Sequence, residues 1–124
     1  MKLDELRAYC LAKPGAKESY PFGPGALVMK VGGKLFAIIA DEEDPLTISL
    51  KCEPDIAVML RKHFSAVGPG YHLNKKHWNT VTLDGTISKK EIRDWIDDSY
   101  DLVLDGLPRK TRDVVLGIKR TSKT

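Results

Sequence analysis

The chain has 124 residues, 42% hydrophobic and 30% charged, with a formal net charge of +3, enough for one domain with its own core and too little for two. No apolar run approaches the ~20 residues of a membrane-spanning helix, and Met1-Lys2-Leu3-Asp4-Glu5 is acidic and amphipathic where a secretory signal would be basic and then apolar. A cytoplasmic monomer with no membrane segment is therefore expected. Leu3, Leu6, Cys10 and Leu11 fall at helical spacing over residues 2–12, and Pro14-Gly15 closes that helix. A loop of breakers follows from Ser19 to Gly25, in which Phe22 is expected to pin the loop to the core. Leu27 to Val31 and Leu35 to Ala40 are β-type runs joined by Gly32-Gly33, a hairpin signal because glycine reaches the positive φ angles of a type I′ turn. Asp44-Pro45 turns the chain into Leu46 to Lys51, whose alternation predicts a strand with one wet face.

Pro54 suits the first position of a helix, with Ile56, Met59, Leu60 and either His63 or Phe64 as its apolar stripe. A second strand region runs from Trp78 to Leu83, with Trp78, Thr80 and Thr82 on one face and Asn79, Val81 and Leu83 on the other. Ser88 and Glu91 have capping-box spacing, with Ile87 and Ile92 placed as a staple, so a helix starts at Lys89. Ile92, Trp95, Ile96, Ser99 and Val103 form its stripe, Tyr100 is expected to bury its ring, and Gly106 near Pro108 ends it. Val114, Val115 and Ile118 suggest a short last helix before a frayed basic end from Lys119 to Thr124. The order is helix, three strands, helix, one or two strands, helix. It predicts an α+β domain over residues 1–107, an antiparallel sheet of about five strands packed with helices, followed by a basic segment over 108–124.

The richest segment is Gly68 to Thr80, which holds Tyr71, His72, Asn74, Lys75, Lys76, His77, Trp78 and Asn79 beside its turn-forming glycine and proline. Lysines, histidines, amides and aromatics together supply cations, donors and stacking faces suited to an anionic or planar partner. Charge is unevenly spread. From Pro108 onward six basic residues meet one acid, +5, which leaves −2 for the rest of the chain. Acids cluster at Asp41 to Asp44 and along Asp94, Asp97, Asp98 and Asp101, so a polyanion is expected to approach through the Lys75-Lys76 loop, the C-terminal segment, or both.

Several motifs resemble the MmcQ/YjbR family of small bacterial proteins. They are Ser19-Tyr20-Pro21-Phe22-Gly23, Gly32 to Ala37, Ile48 to Pro54, Pro69 to Asn79 and Asp98 to Val103, the fourth being the most specific. The resemblance runs from the first helix to Arg112. It implies a frataxin-like (CyaY-like, double-wing) sandwich and a DNA-binding role, the usual description of that family. Frataxins bind iron through an acidic first helix; here Asp4 and Glu5 are offset by Lys2 and Arg7, which does not support that use of the fold.

Two functional readings follow. In the first, Asn74, Lys75, Lys76 and His77 hold phosphates of DNA with weak sequence preference, assisted by Arg109, Lys110 and Arg112. In the second, Tyr20, Phe22, Lys51, Tyr71, His77 and Trp78 converge on a small anionic or planar ligand, or on a protein partner, at one end of the sheet. Trp78 also suits a plain core position on its strand. His72 and His77 have no carboxylate, nucleophile elbow or phosphate-cradling loop at fixed spacing, so a non-enzymatic protein is expected. His63, His72, His77, Cys10 and Cys52 lack the paired spacings of a zinc site, and no metal or cofactor is expected; the cysteines read as buried hydrophobes, not a disulfide.

Overall fold

A computed structural model describes residues 1–118. The frayed end expected over 119–124 lies outside the described residues. In chain order the elements are α1 (Leu3–Leu11), β1 (Lys17–Ser19), β2 (Leu27–Val31), β3 (Lys34–Ala40), β4 (Thr47–Lys51), α2 (Pro54–His63), β5 (Val67–Pro69), β6 (Trp78–Thr82), α3 (Lys89–Asp105) and α4 (Arg109–Leu116). The strands form one six-stranded sheet, ordered β1-β2-β3-β4-β6-β5, with every neighbouring pair antiparallel. The α+β architecture is the expected one, with one strand more than the approximate count. The short strands β1 and β5, three residues each, are too brief for alternation to register in sequence.

Strand parity sorts the sheet into two faces. Leu27, Met29, Ile39, Ile48, Leu50 and Val81 bury against Leu6 and Cys10 of α1 and against Ile92, Ile96, Tyr100 and Val103 of α3, forming the core. The alternate residues Ile38, Ser49 and Thr80 are consecutive register partners on the opposite face, which none of the described helices covers. Gly32 and Gly33 have φ of 57° and 80°, the two positive angles of the expected hairpin turn. Ser88 caps α3 by accepting the Glu91 N–H at 3.1 Å, and Ile87 and Ile92 are both buried.

Ser99 shows how the long helix fixes the sheet. The β2–β3 register shifts between Met29 and Lys30, which leaves Phe36 without a cross-strand partner, and the β3–β4 ladder ends at Ala37 and Leu50. The buried Ser99 hydroxyl fills the opening: it accepts the Lys51 N–H at 2.8 Å and donates to the Phe36 carbonyl at 2.6 Å. Tyr100, the next residue, meets the Phe36 ring edge-on with centroids 5.3 Å apart and donates its hydroxyl to the Pro14 carbonyl at 2.6 Å.

Three packing expectations are corrected. Ile56 and Met59 are 43% and 45% exposed, whereas Leu60 is buried as expected, together with Ala57. The helix meets the sheet margin at β5 and β6, where only a narrow stripe finds cover. Phe22 is 72% exposed, so it does not pin its loop to the core. Trp78 is half-buried and shares its register position with Lys51 on the helix-free face, outside the core cluster. In α4, Val115 packs on the core while Val114 and Ile118 stay exposed. Cys10 and Cys52 are free thiols; Cys10 is fully buried and Cys52 only partly.

Candidate functional site

The helix-free face carries a trough of about 750 Å³. Its floor is formed by Leu35, Ile38, Ser49, Thr80 and Thr82, and Phe22 with Gly25 on one loop opposes Tyr71, His72 and Leu73 on the other. Thr80 ties floor to wall: its hydroxyl is 2.8 Å from that of Ser49 and accepts the Tyr71 N–H at 3.0 Å. Tyr71 is 71% exposed and its ring lies 4.0 Å, centroid to centroid, from that of His72. His72 has φ of 59°, a left-handed conformation that costs a non-glycine residue about 1 kcal/mol or more. Glu43 closes the trough at the β3–β4 turn, beside the Asp41 to Asp44 cluster.

The opposite end of the same face is basic. Lys17 pairs with Lys30 across β1 and β2, and Lys51 pairs with Trp78 across β4 and β6. Lys30 and Lys51 have parity opposite to the core residues Met29 and Leu50, and Lys17 and Trp78 share their register positions, so all four lie on the helix-free face. None of these three lysines has a hydrogen-bond or ion-pair partner for its ammonium among the described residues. The loop carrying Lys75 and Lys76 joins β5 to β6 at this end, as does the Gly32-Gly33 hairpin. The segment entering α4 is docked there too, since Leu107 and Thr111 crowd Gly32, where an added Cβ would meet Leu107 Cδ1 at 2.6 Å. Of the acids near this end, Asp98 lies on α3 in the helix layer, and Glu53 is the exposed residue that precedes α2.

Within the loop the expected phosphate ligands differ in their freedom. The Asn74 side chain accepts the Lys76 N–H at 2.9 Å, and the Lys75 ammonium donates to the Gly70 carbonyl at 3.1 Å. Arg61 donates through one nitrogen to Asn79 Oδ1 at 2.8 Å and to the Lys75 carbonyl at 3.1 Å, while Asn79 Nδ2 donates to the Ala57 carbonyl at 3.2 Å. The loop is thus braced to α2. His77 contributes its backbone, accepting from the Cys52 N–H at 2.8 Å. Lys76 is left exposed with no side-chain partner among the described residues. Arg109, Lys110 and Arg112 lie on α4, on the hairpin side of the sheet. Of the proposed pocket residues, Phe22 and Tyr71 line the trough, Lys51 and Trp78 share a register position outside it, with Lys51 also lining a cleft between α2 and α3, and Tyr20 bonds Asp41 through its hydroxyl at the acidic end. Lys17 and Lys30 escaped the sequence pattern: the parity of Lys30 against Met29 and Val31 was available in the β2 run, whereas β1, which carries Lys17, is too short to show one.

A second cleft, about 460 Å³, lies between α2 and α3. Ile56, Met59, Phe64 and Trp95 line it, with Glu91 and Asp98 among its polar groups. Burial, then the neighbouring Asp101, Asp94 and Asp97 charges, raises the Asp98 carboxyl above its ordinary range. Burial also pushes the Cys10 thiol up to about 12 and the Cys52 thiol, helped by Asp98 and Glu53, up to about 11, so both stay protonated at neutral pH. Among the described residues no three His, Cys, Asp or Glu side chains gather as a metal site, and no helix is long and apolar enough to cross a membrane.

A family model described as YjbR matches residues 11–102. The chain is 40% identical over 116 residues to the YjbR protein of Escherichia coli K12, covering 94% of this chain and 98% of that one. It is 38% identical over 107 residues to YbdF of E. coli O157:H7, covering 86% of this chain and 88% of that one. The crystal structure of Deinococcus radiodurans DR2400, a DUF419 domain, superposes with a TM-score of 0.87 at 39% identity, covering 95% of this chain and 89% of that one. A crystal structure from Pseudomonas syringae gives a TM-score of 0.72 at 30% identity, covering 83% of this chain and 99% of that one. These names specify a family and a fold, not a ligand.

Proposed function

The chain belongs to the YjbR family, and from that premise we propose that it is a non-enzymatic, sequence-tolerant DNA-binding module that holds phosphates along the lysine edge of its helix-free sheet face. The observation that carries the reading is the segregation of charge on that face. Lys17, Lys30 and Lys51 stand at one end with Lys75 and Lys76 beside them, and the acids of residues 41–44 lie at the other. From β2 to β6 this edge spans three strand spacings, about 14 Å, enough for several phosphates of one strand. Arg109, Lys110 and Arg112 extend the edge on the hairpin side. The usual description of MmcQ/YjbR proteins as DNA-binding supports the same partner.

Fluorescence anisotropy of labelled DNA, titrated with salt, tests this. Lys30→Ala/Lys51→Ala should weaken binding and flatten the dependence of log K on log salt by roughly 0.7 to 0.9 for each phosphate that is no longer neutralised. Binding of equal strength and equal slope in that variant would sink the lysine edge as the DNA-binding surface. A second reading, a free planar or anionic small ligand, is favoured by the trough itself, whose 750 Å³ falls within the roughly 300–1,000 Å³ of ligand sites. In that case Tyr71→Ala abolishes binding and the lysine changes matter little.

A further inference from the structure

We infer that the trough receives unpaired bases, so that this face binds single-stranded DNA ahead of duplex; the inference rests on the nucleic-acid reading above. Phe22 and Tyr71, 72% and 71% exposed, are large aromatic side chains left in water on opposite walls of one groove. Their packing does not explain them, since neither belongs to the core. The lysine edge opens onto the same face, so a strand whose phosphates rest on Lys17, Lys30 and Lys51 has its bases beside the trough.

Charge decides which part of the strand enters. The floor is neutral, with Ile38 and the paired hydroxyls of Ser49 and Thr80, and Glu43 stands at the far end. A phosphate moving inward would leave the lysines and approach that carboxylate, whereas a base is neutral, and the exocyclic amino groups of adenine, cytosine and guanine can donate to it. Duplex DNA keeps its bases stacked on one another and offers only their edges, so it can use the lysines but not the aromatic walls. The left-handed His72 backbone sets its ring beside that of Tyr71 on this wall, which adds a second planar group next to the trough.

The test compares labelled single strands of about twelve nucleotides with the matching duplex, within the site sizes usual for one small domain. The full chain, Phe22→Ala, Tyr71→Ala and Lys30→Ala/Lys51→Ala are each titrated at several salt concentrations. The single strand should bind more tightly than the duplex. Each aromatic change should cost single-strand affinity roughly five- to a hundredfold, the range for one base–aromatic stack, with the salt slope and duplex binding unchanged. The lysine pair should weaken both. Equal single-strand and duplex affinity, indifferent to Phe22→Ala and Tyr71→Ala but still dependent on the lysines, would overturn the trough and leave the lysine edge standing. No binding of either nucleic acid would overturn both. Because both aromatic side chains are exposed, their removal leaves the core intact, and thermal unfolding of each variant verifies that.

Discussion

Ser99 is the residue whose chemistry most directly shapes the sheet. Its hydroxyl serves two backbone groups that the bulged strand leaves unpaired, an N–H of Lys51 and a carbonyl of Phe36. Ser99→Ala removes both partners while changing volume little, so it should cost about 2 to 3 kcal/mol in urea unfolding. A loss below a few tenths would show that water replaces the hydroxyl. Gly70 is constrained differently: a Cβ there would lie 2.7 Å from Trp78 Cβ and 3.0 Å from the Trp78 carbonyl oxygen. Since that backbone is held in β6, Gly70→Ala should force the Tyr71 loop aside, lowering the melting temperature by the equivalent of about 1 to 3 kcal/mol. An unchanged melt would mean that the loop shifts freely. Lys75 and Lys76 are adjacent but not equivalent, because only the Lys75 ammonium braces the loop. Lys76→Ala should therefore alter DNA affinity alone, whereas Lys75→Ala should also lower thermal stability.

Helix α3 packs its Ile92, Ile96, Ser99, Tyr100 and Val103 face on the sheet and turns a row of acids outward. Asp97 meets Tyr9 and Lys13, and Asp94 meets Lys90. Burial raises Asp98 most, and the neighbours that add to its effect, Asp101, Asp94 and Asp97, are all like-charged. Its folded-state pKa is raised, so the folded chain holds that proton more tightly than the unfolded chain does. Stability attributable to this group is greatest below the unfolded carboxyl value and falls as pH rises through the raised one. Asp98→Asn should accordingly raise the melting temperature at pH 7 and make no difference near pH 3. A gain that persisted at acid pH would assign it to packing in the α2–α3 cleft instead of charge. For α2, the exposure of Ile56 and Met59 follows from its place over the sheet margin: a helix that covers only β5 and β6 cannot bury a full stripe.

At the level of the whole domain, placing the four described helices against one side leaves a sheet face on which side chains from five separate segments meet. The lysine edge joins β1, β2 and β4 with the β5–β6 loop, and the trough adds the Ser19 to Gly25 loop. Removing one contributor should leave the others in place. Arg109→Ala/Lys110→Ala/Arg112→Ala should thus reduce DNA affinity and salt slope modestly while the Lys30 and Lys51 dependence persists. Truncation at Leu107 is a less discriminating probe, because Val115 packs on the core and Gly15 and its loss disturbs the fold as well as the charge.

The Gly32-Gly33 hairpin, the start of α3 at Lys89, the Pro54 helix and the parity of β6 were legible in the chain because each rests on a local cause: positive φ at glycine, a side-chain cap, a missing N–H, a period of two. The unusual loop from Pro69 to Asn79 was legible as a surface with a purpose, but its internal division of labour was not. Whether Asn74 or Lys75 is free depends on where Gly70 and Lys76 fall once the loop closes. Phe22, Trp78, Ile56 and Met59 carry the same hydrophobicity as core residues, and only the arrangement of helices over one side of the sheet decided that they stay out. Lys17, Lys30 and Lys51 come from three strands separated in sequence, so their alignment follows from strand order and register, which are long-range pairings that no local pattern encodes.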